Sequence, residues 1–285
     1  MLFTKMPEFS VVVCVKNEEQ RLDACLQGVL LNAPSEIIVV DGNSSDRTAL
    51  IARKYTDKVI VTENSSLTRD RQIGIDAASH GLVAMIDADH RLLAGDLVSL
   101  FEDMQAYSFD VVQAQLISFV NNNYWNRAEE QAWSLTHNIP GPKSMIGVAP
   151  AIFNKRIFSM VKFDDTVTRT IDDTDFIYRL SLVPGVKFGI GRTQIRQLHS
   201  GTFESYFKKF RWYGVGDGEF CVKHPGRAPG MWFHLLVRYP LVYGFKALCR
   251  GKFEVIPFFM LQGYVRFYSM VRKILGMVMS RKGGH

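Results

Sequence analysis

The sequence predicts an α/β protein with a mostly parallel central sheet, followed by a basic, aromatic, helical tail. Three observations carry this. Short apolar runs alternate with longer amphipathic ones through the first hundred residues, recurring about every 22 to 27 residues, which is the rhythm of βαβ units. The runs are apolar at nearly every position, as parallel strands covered on both faces must be. After residue 200 the composition changes to one rich in Lys, Arg and aromatic residues.

The elements follow in order. Strands are expected at Phe9–Val15, Glu36–Val40, Lys58–Val61 and Leu82–Ile86, with helices at Glu18–Leu30, Asp46–Lys54 and Leu67–Ala78 between them. Right-handed crossovers then line up the strand carboxyl ends on one edge, where such sheets bind ligands. Beyond Asp89 the spacing predicts a helix over Gly95–Ala106 and a strand over Val111–Phe119. A mixed region with a lid-like loop around Pro140, Gly141 and Pro142 runs to Ala151. A helix over Asp173–Leu182 and strands over Val186–Ile190 and Gln194–Leu198 complete the body. The boundary is expected at 220, giving a body of residues 1–220 and a tail of residues 221–285.

Composition excludes several classes. With 285 residues, 47% hydrophobic and 22% charged, the chain buries a sizeable core and is not disordered. Cys14, Cys25, Cys221 and Cys249 form no C-x-x-C pair, against a zinc knuckle or a dithiol motif, and suit a reducing compartment. The first residues carry no signal-peptide pattern, so the protein is expected not to be secreted. Val15-Lys16-Asn17-Glu18 lacks the G-x-G-x-x-G turn that a dinucleotide enzyme needs after its first strand.

Charge divides the chain. Residues 201–285 hold 14 Lys and Arg against 4 Asp and Glu, a net +10, while the first 200 residues hold 20 against 24, a net −4. A basic tail seeks a polyanion, and the interleaved aromatics favour anionic lipid over nucleic acid. Phe267, Met270, Val271, Ile274, Leu275 and Val278 fall at i, i+3, i+4, i+7, i+8 and i+11, the stripe of an amphipathic helix. The longest charge-free stretch in the tail, Val255–Val265, has 11 residues, whereas a span needs about 20. The tail is therefore expected to lie in a membrane interface rather than cross it.

Three acidic clusters carry the chemistry. Asp41 ends the second strand and begins Asp41-Gly42-Asn43-Ser44-Ser45-Asp46, placing a carboxylate on the ligand edge, while Asp46 suits either a helix cap or a ligand role. Asp87-Ala88-Asp89 closes the fourth strand, where two carboxylates offer oxygens to a divalent cation that bridges phosphates. Asp172-Asp173-Thr174-Asp175 packs more carboxylates at a helix start than the helix dipole needs, and adjacent carboxylates raise each other's pKa, which suits a general base. His199 follows the last strand, a position that permits metal ligation.

The ordered set Lys16-Asn17-Glu18, Asp41-Gly42-Asn43-Ser44-Ser45-Asp46, Asp87-Ala88-Asp89 and Asp172-Asp173-Thr174-Asp175-Phe176 resembles family 2 glycosyltransferases of the GT-A fold, over roughly residues 8 to 220. The resemblance implies an inverting transfer of a sugar from a nucleotide donor, most often a UDP-sugar, to an acceptor hydroxyl. It implies that Glu18, Asp41, Asp87 and Arg71 bind the nucleotide, with Arg69 beside them. It further implies that Asp89 and His199 hold Mg2+ or Mn2+, and that Asp173 is the catalytic base with Asp172 as second choice. This chain carries Asp172 where the family's E-D-x-D-F pattern has Glu. The tail resembles the membrane-associating ends of some bacterial members. Together these give a lipid-linked or glycan acceptor, no nucleic-acid partner, and a place on the cytoplasmic face of the inner membrane. The alternative is a non-catalytic membrane-associated adaptor with a nucleotide-binding fold, which explains the basic tail but not the three acidic clusters.

Overall fold

A computed structural model describes residues 7–63, 66–118, 123–166, 171–198 and 201–282. Strand β1 (Phe9–Val15) shows why the body folds as a layered sheet. Val11, Val13 and Val15 face one core layer and Val12 the other, so an almost continuous apolar run is buried on both sides. Strands β2 (Glu36–Asp41), β3 (Val59–Val61) and β4 (Leu82–Asp87) join it in parallel, through α1 (Leu22–Leu30), α2 (Thr48–Ala52) and α3 (Leu67–Ala77). Val15 pairs with Asp41 and Cys14 with Asp87, so these strand ends share one edge.

The chain continues through β5 (His90–Arg91), α4 (Asp96–Ala106), β6 (Val111–Ser118), α5 (Tyr124–Thr136), β7 (Gly141–Pro142), β8 (Ala151–Asn154), α6 (Asp172–Ser181) and β9 (Phe188–Gln197). Sheet order is β3-β2-β1-β4-β8-β6-β9-β5, with β7 on β9. The sheet is mixed rather than mostly parallel. Strand β8 lies antiparallel between β4 and β6, while β6 and β9 run parallel. The region expected to be mixed up to Ala151 contains the helix α5, and its lid-like Gly141-Pro142 is instead a short strand on β9.

The two strands expected at Val186–Ile190 and Gln194–Leu198 are one strand, β9, broken in register where Gln113 pairs with Ile190 and Gln115 with Gln194. Buried Asp103 of α4 holds that irregularity. Its Oδ2 accepts from the backbone N–H groups of Arg192 at 2.6 Å and Thr193 at 2.9 Å, and Gln115 donates to the Gly191 carbonyl at 3.0 Å. The first crossover helix starts four residues later than expected. Residues 16–19 are drawn instead into the β2–α2 loop, where Asn17 N–H donates to Ser44 at 2.8 Å and Glu18 N–H to Thr48 at 2.8 Å.

The chain forms two compact units. The first comprises Met1–Phe119, Ile139–Thr168 and Asp172–Leu198; the second comprises Val120–Asn138, Arg169–Ile171 and His199–His285. The expected boundary at 220 falls inside α7 (Phe203–Lys223), a single helix of the second unit. Helices α8 (Ala228–Phe233), α9 (Gly244–Cys249) and α10 (Ile256–Lys282) follow, with the π-helical stretch His234–Tyr243 between α8 and α9. α5 packs into the same core through Ala128, Ala132 and Leu135.

The stripe on α10 is only partly available to a membrane. Met270 is fully buried in the second unit's core and Phe267, Val271 and Ile274 pack against it, whereas Leu275 and Val278 are exposed. Among the described residues, no helix is long and apolar enough to cross a membrane.

Candidate active site

The edge that gathers the ends of β1 and β4 opens into a cleft of about 340 Å³ in the first unit. Its lining includes Lys16, Glu18, Arg21, Asp70, Arg71, Asp87 and Asp89. Four expected site residues, Glu18, Arg71, Asp87 and Asp89, are thus brought together. Glu18 pairs with Arg21 at 3.5 Å, and burial pushes its carboxyl above the usual range. Asp41 does not line this cleft. It is buried at the end of β2, where Oδ1 accepts from the backbone N–H of Ser44 at 3.1 Å and from the Ser44 hydroxyl. Asp46 folds the same loop, accepting from Thr48 N–H at 3.0 Å and Glu19 N–H at 3.2 Å. Arg69 is exposed on α3, outside the cleft lining.

Arg71 is the electrostatic hinge of the site. Its side chain is buried, forms an ion pair with buried Asp172, and lies 3.5 Å from Asp87 Oδ1. In the first turn of α6, Asp172 is therefore held by Arg71 and Asp175 by Arg179 at 2.8 Å. Asp173 between them is half-buried and has no ion-pair partner among the described residues. Its Oδ1 accepts from Thr174 N–H at 2.6 Å and from the Thr174 hydroxyl at 3.3 Å. Loss of solvent raises the Asp173 pKa, against the nearby Arg71 charge that lowers it. Arg71→Gln, which leaves Asp172 buried without a counter-charge, is expected to cost about 3–5 kcal/mol of stability, read from urea denaturation.

Asp89 offers a metal a prepared oxygen. Gln197 of β9 donates to its Oδ2 at 3.0 Å, while the buried Oδ1 has no hydrogen-bond partner. The adjacent His90 is fully buried. Its Nδ1 accepts from the Asp87 backbone N–H at 3.0 Å, and its Nε2, also without a hydrogen-bond partner, lies 3.8 Å from Asp89 Oδ1. One atom each from Asp87, Asp89 and His90 falls within 4.8 Å of the others. Two carboxylates fit a hard divalent cation. His199 lies outside the described residues.

His90 and Gln197 escape a sequence reading for different reasons. His90 directly follows the D-x-D pattern, so proximity could have flagged it. Gln197 reaches Asp89 only through the β9–β5 pairing that joins the strand ends in space, as His90 pairs with Gln197.

Residues 10–174 match the family described as Glycosyl transferase family 2. The chain belongs to glycosyl transferase family 2. An uncharacterized glycosyltransferase of Rickettsia typhi is 25% identical over 203 residues, which is 68% of this chain and 63% of that protein. The dodecaprenyl-phosphate galacturonate synthase of Rhizobium johnstonii is 31% identical over 117 residues, 37% of this chain and 35% of that protein. The chain thus spans between about a third and two thirds of the length of these curated relatives. Among solved structures, S. aureus TarS 1-349 superposes with a TM-score of 0.54 at 17% identity, covering 98% of this chain and 93% of TarS 1-349. Its complex with UDP-GlcNAc gives 0.52 at 18% identity, covering 97% and 92%. This likeness shows a shared α/β fold of the GT-A type.

Proposed function

We propose that the chain is a metal-dependent inverting glycosyltransferase that moves a sugar from a UDP-sugar to a hydroxyl of a lipid-linked or other glycan acceptor. The observation that carries this is the convergence of Asp87, Asp89 and Arg71 on one sheet edge, with Asp173 left outside the ion pairs of its helix turn. TarS has been solved with UDP-GlcNAc bound, which supports a UDP-sugar donor. The Rhizobium johnstonii relative is named for a dodecaprenyl-phosphate product, which supports a lipid-linked acceptor.

In this reading Asp173 takes the proton from the acceptor hydroxyl as its oxygen forms a bond to the anomeric carbon. The bond from that carbon to the diphosphate oxygen breaks, its electron pair leaves with UDP, and configuration inverts in one displacement. Arg71 holds Asp172 and so fixes the turn that presents Asp173. Asp87, Asp89 and His90 would hold the cation, which when bound supplies charge neutralisation to the departing diphosphate. Gln197 orients Asp89 for that task. Glu18 and Asp87 flank the nucleoside, and Asp41 shapes the loop beside it.

Incubation with a panel of UDP-sugars and a membrane extract, followed by mass spectrometry, tests the function. One donor should be consumed, with UDP released and an acceptor gaining one glycosyl residue. Turnover of no nucleotide sugar would overturn it.

The enzyme is placed on the cytoplasmic face of the inner membrane, held by its second unit. Supporting this are the net +10 of residues 201–285 and the exposed aromatics Trp212, Trp232, Phe233, Phe245, Phe253, Tyr264 and Tyr268. Among the described residues, the exposed large apolar residues of the first unit include no aromatic. Removing α10 would strip Phe258, Phe259 and Met270 from a core, so exposed positions give the cleaner test. Trp232→Ser with Phe245→Ser is expected to weaken flotation with anionic liposomes at least about tenfold, from the apolar area no longer buried. Unchanged flotation would contradict the placement.

A further inference from the structure

Helices α7 and α10 form a groove from two rows of side chains at matching spacing. Phe207, Arg211 and Val215 lie at i, i+4 and i+8 on α7, and Tyr264, Tyr268 and Arg272 at the same spacing on α10. The helices approach closely because Gly214 and Gly218 face the α10 backbone. A Cβ on Gly214 would lie 2.3 Å from the Arg266 carbonyl oxygen, and one on Gly218 2.9 Å from that of Met270. Beside this seam the groove encloses about 520 Å³, the size of a small-molecule site, over a floor that includes Val265 and Ser269.

The lining has a marked charge character. No acidic side chain contributes to it. Lys273 is already paired with Glu219 at 2.9 Å. Arg211 is exposed and has no ion-pair partner among the described residues, and exposed Arg272 only lies over the Tyr268 ring at 5.8 Å. Tyr264 is 70% and Tyr268 53% exposed, so two guanidinium groups and two phenol rings border a floor on which apolar Val265 lies beside Ser269. A soluble anion would satisfy the guanidinium groups and leave that floor wet. An amphiphile with an anionic head covers both.

We infer that this groove seats the headgroup of one anionic phospholipid of the bilayer. Arg211 and Arg272 supply the positive charge around its head, and Phe207, Tyr264 and Tyr268 flank the glycerol and the first methylenes of its chains. The inference deepens the membrane placement proposed above and rests on it. It changes the attachment from a diffuse charge attraction to a stoichiometric lipid site.

The test uses the full chain and a short-chain phosphatidylglycerol below its critical micelle concentration, titrated calorimetrically beside the matching phosphatidylcholine, inorganic phosphate and a single-stranded oligonucleotide. Phosphatidylglycerol should bind saturably one to one, and the other three at least tenfold more weakly. Arg211→Gln with Arg272→Gln should lose about 25-fold in affinity, at about fivefold for each basic residue facing an anionic lipid. Arg227→Gln with Arg250→Gln, which removes two exposed charges of the same unit outside the groove, should lose less than threefold. Tyr264→Ala with Tyr268→Ala probes the apolar half and should weaken binding without a change in salt dependence.

Equal losses in the two arginine pairs, equal binding of phosphate or oligonucleotide, or no saturable binding would each overturn the site. UDP with Mn2+ should raise the melting temperature of the wild-type chain and of both arginine variants alike. Loss of wild-type flotation with anionic liposomes counts against the membrane placement itself, whereas its persistence with a failed lipid titration counts against the groove alone.

Discussion

Asp173→Asn is expected to lower kcat by about 100- to 10,000-fold, the usual contribution of a positioned general base. The amide keeps the shape and can still accept from Thr174, but it cannot take the acceptor's proton. UDP affinity should stay within about threefold, because the change falls on the acceptor step and not on the nucleotide. Burial raises the folded-state pKa of Asp173 above its unfolded value. Its contribution to folding is therefore full below the ordinary carboxylate pKa and is lost as pH rises through the raised value. Above the raised value the ionised carboxylate works against the fold, so in that pH range Asp173→Asn should hold or raise the melting temperature. The acid limb of the wild-type kcat/KM profile should lie above the range of an unperturbed Asp. If Asp172→Asn is equally inactive yet fully stable, the base has been assigned to the wrong carboxylate.

Asp89→Ala carries the second large effect, a loss of about 100- to 1,000-fold in metal-stimulated turnover, as expected on removing one group that stabilises leaving-group charge. Mn2+ affinity, measured by titration in the absence of substrate, should fall at least about tenfold. Stability should change little. The substitution removes an acceptor from Gln197 but also removes the buried, unpartnered Oδ1, and the two terms oppose each other. Wild-type turnover by Asp89→Ala at saturating Mn2+ would remove the metal role of the D-x-D pair.

The first three βα units were legible because their information is local. An apolar run buried on both faces, followed by a turn with Asp, defines a parallel strand and where it ends, as at Asp41 and at Asp87-Ala88-Asp89. The rest depends on tertiary partners. Strand β8 has only four residues, and nothing in Ala151–Asn154 says that it enters the sheet antiparallel. Strand β9 looked like two strands because Gly191, Arg192 and Thr193 interrupt its pattern, and only buried Asp103, distant in sequence, accounts for the irregularity. The second unit draws α5 from the middle of the chain, so no cut at a single residue could have described it. In the site, the pairing of Arg71 with Asp172 joins residues a hundred positions apart, and their spacing carries no signal of it.

Calorimetric titration of UDP into the wild-type chain, first with Mn2+ and then with the metal chelated, tests the central claim most directly. One-to-one binding that weakens at least about tenfold on chelation is the result expected of a cleft whose carboxylates hold the diphosphate through a cation. Absence of UDP binding in the presence of Mn2+, or binding of equal strength without it, would contradict the account.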